Sequence, residues 1–185
     1  MARKRKTPPL RSKPSTLARV AAVARGRAAG AVAAVSRRLP GGSNRDPIVL
    51  LETDHRRLEA LLKQADETTE RGVKARTKLL ATLTAALTRH ERLEEKILYP
   101  ALKPHAEARE LVLEGYQEHH VADVVVRELH RLAKDDERWG AKLKVLKENL
   151  EHHIQEEETQ MFPIARAVLD RAELDALGAR MKALR

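Results

Sequence analysis

His90-Glu91-Arg92-Leu93-Glu94-Glu95-Lys96-Ile97-Leu98-Tyr99-Pro100 and His153-Ile154-Gln155-Glu156-Glu157-Glu158-Thr159-Gln160-Met161-Phe162-Pro163 are the two stretches that decide the fold. Each holds a histidine, a glutamate four residues later, and an aromatic-proline pair beyond. The counterparts His90 and His153, Glu94 and Glu157, and Pro100 and Pro163 are all 63 residues apart. On an α-helix a spacing of four stacks two side chains on one face. Two such pairs on facing helices form half of a metal cage.

Outward from these motifs the chain reads as helices throughout. Asp46 is a helix cap and Pro47 a favoured first residue, which predicts a first helix to about Gln64. A second is predicted from about Gly72 to Leu98, ending before Pro100 because proline breaks the ladder. A third runs from about Ala106 to Ala133, and a fourth from about Asp136 to Met161, with a break or kink at Pro163. A terminal helix from the cap Asp170 to Leu184 closes the chain. Each main helix carries a stripe at alternating three and four spacing: Ile48, Leu51, His55, Leu58 and Leu62; Leu80, Leu83, Leu87, His90, Glu94 and Ile97; Val112, Gly115, His119, Ala122, Val126 and Leu129; Leu143, Leu146, Leu150, His153 and Glu157, with Ile164 past an interruption. No segment has the period of a strand. Four stripes and short connections predict an all-α, antiparallel up-down four-helix bundle with a short C-terminal helix.

The polar residues inside those stripes are the informative ones. Each helix places one histidine in its stripe (His55, His90, His119 and His153), and two add Glu94 and Glu157 one turn further. Buried carboxylates and imidazoles cost free energy unless they share a compensating partner. A metal ion supplies one, and this donor set suits iron, manganese or zinc. Six donors exceed the four of a structural zinc site and fit two ions bridged by the carboxylates. His105, His130 and His152 fall outside the stripes, and His120 belongs at the bundle edge. Glu91, Glu95, Glu156 and Glu158 read as solvated face charge, with Glu91 and Glu158 the candidates for an outer-shell role. Tyr99 and Phe162 read as hydrophobic plugs. A ferritin-like site needs two Glu-x-x-His pairs, and only Glu52-x-x-His55 occurs.

Asp54-His55, His90-x-x-x-Glu94-Glu95 with Leu98-Tyr99-Pro100, Glu118-His119, and His153-x-x-x-Glu157-Glu158 with Met161-Phe162-Pro163 together resemble the hemerythrin-like, HHE cation-binding family. Glu173-Leu174, Leu177-Gly178 and Met181 resemble the close of such domains. The resemblance spans about 46–185 and implies a non-haem di-iron centre bridged by Glu94 and Glu157, with the four stripe histidines as terminal ligands. Oxygen-carrying members have a further histidine on the third helix, four residues from its partner. Here those places hold Gly115 and Asp123. An open or water-filled metal position, or entry of Asp123 or a flanking glutamate, is the consequence to look for. The expected ligands are oxygen, peroxide or nitric oxide, in sensing, turnover or iron handling and in stress responses.

Residues 1–45 are a separate matter. They carry twelve Lys/Arg and no acid, which leaves 24 basic and 27 acidic residues in 46–185, a net −3. A mildly acidic domain thus follows a basic leader whose Pro40-Gly41-Gly42-Ser43-Asn44 reads as a linker. The leader is expected to be a disordered tail, an organelle-targeting peptide, or a nonspecific contact to nucleic acid or an anionic surface. The last makes the alternative function a nucleic-acid-associated adaptor, with the bundle as scaffold or metal-gated module. The chain has no cysteine, which excludes disulfides and thiolate sites and fits a cytoplasmic setting. No apolar run approaches the roughly 18 residues that span a bilayer.

Overall fold

The computed structural model describes residues 46–185, all helical apart from short connections. The leader, with the readings placed on it, lies outside the described residues. The helices are α1 (Pro47–Asp66), α2 (Val73–Leu93), α3 (Tyr99–Leu102), α4 (Ala106–Arg131), α5 (Glu137–Glu156), α6 (Phe162–Val168) and α7 (Arg171–Leu184). Two wide π turns, Glu94–Leu98 and Glu157–Met161, join α2 to α3 and α5 to α6 without breaking the rod. The bundle is formed by α1, α2–α3, α4 and α5–α6. In it α1 packs on α2 and α5, α4 packs on α5 and α2, and α7 lies against α1. No helix among the described residues is long and apolar enough to cross a membrane.

Caps fix the starts. The Asp46 carboxylate accepts from Ile48 N–H at 2.9 Å, and its second oxygen accepts from Arg166 Nη1 at 2.8 Å, tying the start of α1 to α6. Asp136 caps α5 through Arg138 N–H, and Asp170 forms a reciprocal capping box with Glu173 at α7.

The predicted stop before Pro100 is corrected by the structure. In an α-helix the proline ring collides with the carbonyl four residues back and leaves it without a donor. Here the backbone widens first: Tyr99 N–H bonds Glu94 O, five residues back, and Phe162 N–H bonds Glu157 O in the same way. Pro100 and Pro163 then fall in the first turns of α3 and α6, where no donor is missed. The carbonyl of Lys96, four residues before Pro100, accepts instead from Arg180 Nη2 of α7 at 3.4 Å. The extra residue in each π turn advances the buried face by one position. After Glu157 the core residues are therefore Met161, Phe162 and Ala165, and Ile164 is only partly buried. The fourth rod changes pitch at Glu157, ahead of the break expected at Pro163.

The core falls into two clusters. One, around Leu58, Leu62, Leu80, Leu83, Trp139, Leu143 and Leu146, fills the end near the α2 start. The other, around Leu51, Leu98, Tyr99, Leu102, Val112, Phe162, Leu177 and Met181, fills the end closed by α7. Between them lies a layer of buried histidine and glutamate.

Candidate metal centre

All six stripe donors meet in that polar layer. His55, His90, Glu94, His119, His153 and Glu157 are each no more than 3 % exposed. They form two overlapping groups, His55 with His90, Glu94 and Glu157, and Glu94 with His119 and His153. Glu94 divides its oxygens between them: Oε1 lies 3.3 Å from His90 Nε2, and Oε2 lies 3.3 Å from His119 Nε2. Glu157 Oε2 faces His55 Nε2 at 3.2 Å and His153 Nε2 at 3.7 Å. The halves repeat one geometry. His55 and His90 meet edge-on at 4.7 Å between centroids, and His119 and His153 do so at 4.8 Å.

The donor set fits a cation on two counts. His55 Nε2, His90 Nε2, both oxygens of Glu94 and Glu157 Oε2 are buried without a hydrogen-bond partner, and all of them face the same space. Close approach without aligned hydrogen bonds is costly between neutral or like-charged groups, and a shared cation relieves it. Without one, burial and the neighbouring Glu157 hold the Glu94 carboxyl well above its ordinary range. Burial also holds His90 well below its own, helped by His55. Burial pushes Glu157 the opposite way, but His153 and His55 outweigh it and keep this carboxylate ionised. The two carboxyls are thus pushed apart, Glu94 upward and Glu157 downward, as expected for like charges in contact.

Carboxylates on the outer ring nitrogens orient three of the four imidazoles. His55 Nδ1 pairs with Glu158 at 2.8 Å, His119 Nδ1 with Glu95 at 3.1 Å, and His153 Nδ1 with Glu118 at 2.8 Å. Such a partner fixes the tautomer that leaves Nε2 free for a metal. Glu158 thus sits behind His55, on the ring nitrogen that points away from the polar layer. Glu95, still 35 % exposed, is both partly solvated and a partner of His119, and Glu118, which lies outside the repeated motif, partners His153. The repeat held the signal, because Glu95 follows Glu94 as Glu158 follows Glu157. Glu91 is 7 % exposed, and burial beside Asp123 and Glu95 pushes its carboxyl up to about 8.

Tyr99 is more than a plug. Its ring stacks on His119 at 5.6 Å, as Phe162 stacks on His55 at the same distance. Its hydroxyl, however, donates to Glu157 Oε1 at 2.9 Å and lies 3.5 Å from His119 Nε2. A Cβ on Gly115 would sit 2.5 Å from that hydroxyl oxygen. The place where a further third-helix histidine would start is therefore filled by the phenol of Tyr99. Asp123, one of the expected substitutes, does not enter. Asp123 is exposed and pairs with Arg127 at 3.8 Å, and His120 is exposed. Of the remaining histidines, His130 contacts Thr84 Oγ1 at 2.9 Å on the surface, His152 lies by Glu118 and Glu156, and His105 precedes α4.

A helical bundle whose core carries facing His-x-x-x-Glu pairs defines a class of metal-binding domain. The family model described as the hemerythrin HHE cation-binding domain matches residues 46–165, and the chain belongs to that family. In structure it is similar to a hemerythrin HHE cation-binding domain-containing protein, the Rv2633c homologue of Mycobacterium kansasii. That crystal structure has 28 % sequence identity and a TM-score of 0.64, over 73 % of this chain and 82 % of the other. No curated protein matches the chain. It is a metal-binding protein of the HHE class.

Proposed function

We propose that the protein is a non-haem di-iron protein in which Glu94 and Glu157 bridge two ions. One ion is held by His55 and His90, the other by His119 and His153, and a molecule of a few atoms (oxygen, peroxide or nitric oxide) is sensed or processed there. The observation that carries this reading is the division of the Glu94 oxygens, one toward each histidine pair at 3.3 Å. Imidazole and carboxylate donors also accommodate manganese or zinc, and the redox chemistry of the proposed ligands favours iron. When bound, iron supplies an electron reservoir and a Lewis-acidic position for the small molecule.

The residues around it do the rest. Burial of every donor excludes water and bulky substrates, so specificity is for small molecules that pass between side chains. The Tyr99 phenol, held well above its ordinary range by burial and by Glu157, keeps its proton on Oη and directs it to Glu157 Oε1. Glu91 retains a proton near neutrality beside the His90 and His153 layer.

The test is spectroscopic. Anaerobically iron-loaded protein, once oxidised, should gain a charge-transfer band at the ultraviolet edge of the visible. His90→Ala and His153→Ala should each weaken or abolish it, and His130→Ala should leave it intact. A loaded protein without the band, or equal losses in all three variants, contradicts the reading.

A further inference from the structure

The 63-residue repeat is broken in the surroundings of the metal layer, most plainly on the outer ring nitrogens of His90 and His153. We propose that the two metal positions are unequal, with the His119/His153 position filling first and holding its ion about 10–100-fold more tightly than the His55/His90 position. The inference rests on the two-ion reading above and goes beyond it, because the family's ligand set does not dictate an order.

Three differences carry it. His153 has Glu118 on Nδ1 at 2.8 Å, whereas Nδ1 of His90 is buried with no hydrogen-bond partner. An anionic partner makes an imidazole a better donor, and losing one typically weakens metal affinity 10–100-fold. The sequence counterpart of Glu118 is Asp54, as Glu118-His119 matches Asp54-His55. The Asp54 carboxylate is engaged elsewhere, with Arg185 Nη2 at 2.6 Å and Arg89 Nη2 at 3.4 Å.

Next, the lone histidines also differ. Glu158 Oε1 serves both His55 Nδ1 and the Arg56 guanidinium, so its charge is shared. Glu95 gives its Oε1 to His119 Nδ1 at 3.1 Å, with no arginine or lysine on it among the described ion pairs. Arg56 therefore attaches to Glu158, the carboxylate on His55, and Arg89 and Arg185 attach to Asp54, the residue before His55. Among the described ion pairs, no arginine or lysine attaches to Glu95 or Glu118. Positive charge beside one position disfavours a cation there. Finally, Tyr99 places an oxygen beside His119 where its counterpart Phe162 gives only a ring face to His55.

The experiment is a Co2+ titration of the metal-free full-length chain against a competing chelator, with anomalous diffraction from crystals grown at one equivalent. Two phases separated by at least about tenfold are expected, with the first ion beside His119 and His153. His90→Ala should retain the tight phase and lose the weak one, and His153→Ala should do the reverse. Glu118→Ala, checked for unchanged helical circular dichroism, should bring the two phases within a few-fold. A single phase of two ions, a first ion beside His55 and His90, or an unchanged gap in Glu118→Ala overturns the order while leaving the two-ion reading standing. Failure of Co2+ and Fe2+ alike to bind removes both.

Discussion

At Gly115 a single hydrogen atom decides what the metal layer contains. The position is the counterpart of Leu51, and only a glycine leaves room for a phenol with its hydroxyl 2.5 Å from the would-be Cβ. Gly115→Ala should cost about 1–3 kcal/mol by urea denaturation, the usual range for overpacking. Combining it with Tyr99→Phe should recover part of that loss, since the closest contact is the hydroxyl itself. Glu91 makes a second prediction. Its folded carboxyl titrates at about 8 against 4.5 ordinarily, so between those values the folded state binds the extra proton. Stability then falls as pH rises through that window, by about 1.4 kcal/mol per pH unit at most. In the metal-free protein, Glu91→Gln should lose this slope relative to wild type. Parallel stability-pH curves for the two would count against a buried neutral Glu91.

Among the elements, the π turns explain both the position of the site and the limits of reading it from sequence. The six stripe donors were legible because helical spacing and a 63-residue offset place them without knowledge of packing. The continuation through Pro100 was not, because proline reads as a stop unless the preceding turn is known to widen, and widening depends on tertiary packing. The role of Tyr99 was hidden for a related reason. A regular α-helix puts residue 99 in a different register from the one the π turn gives it, and its meeting with Gly115 joins residues sixteen apart on two different helices. The outer carboxylates were half visible: Glu95 and Glu158 share the repeat, yet adjacent glutamates on a helix are ordinarily solvated. The start of α1 offers a test at this scale. Asp46 is 5 % exposed, caps Ile48 N–H and also holds Arg166. Asp46→Ala should therefore cost about 1–2 kcal/mol, at the upper end for a cap, and Asp46→Asn should cost less.

Over the entire chain the charge is divided, twelve Lys/Arg and no acid in residues 1–45 against a net −3 in 46–185. The bundle belongs to the HHE family, and the twelve positive charges before it have no counterpart in the metal layer. We propose that they contact polyanions without sequence preference. The leader has no aromatic residue for base stacking, so affinity should be electrostatic and fall steeply with salt. Deleting residues 1–45 should abolish retention on duplex DNA at low salt and leave metal content unchanged. A bundle that binds DNA equally well alone contradicts this role for the leader. Everything proposed for the bundle depends on ions occupying its polar layer. The most direct measurement is therefore elemental analysis of the full-length protein after anaerobic iron loading and removal of free metal. About two irons per chain are expected, as two histidine pairs and two bridging carboxylates require. Less than about half an atom of any metal per chain would contradict the metal centre itself.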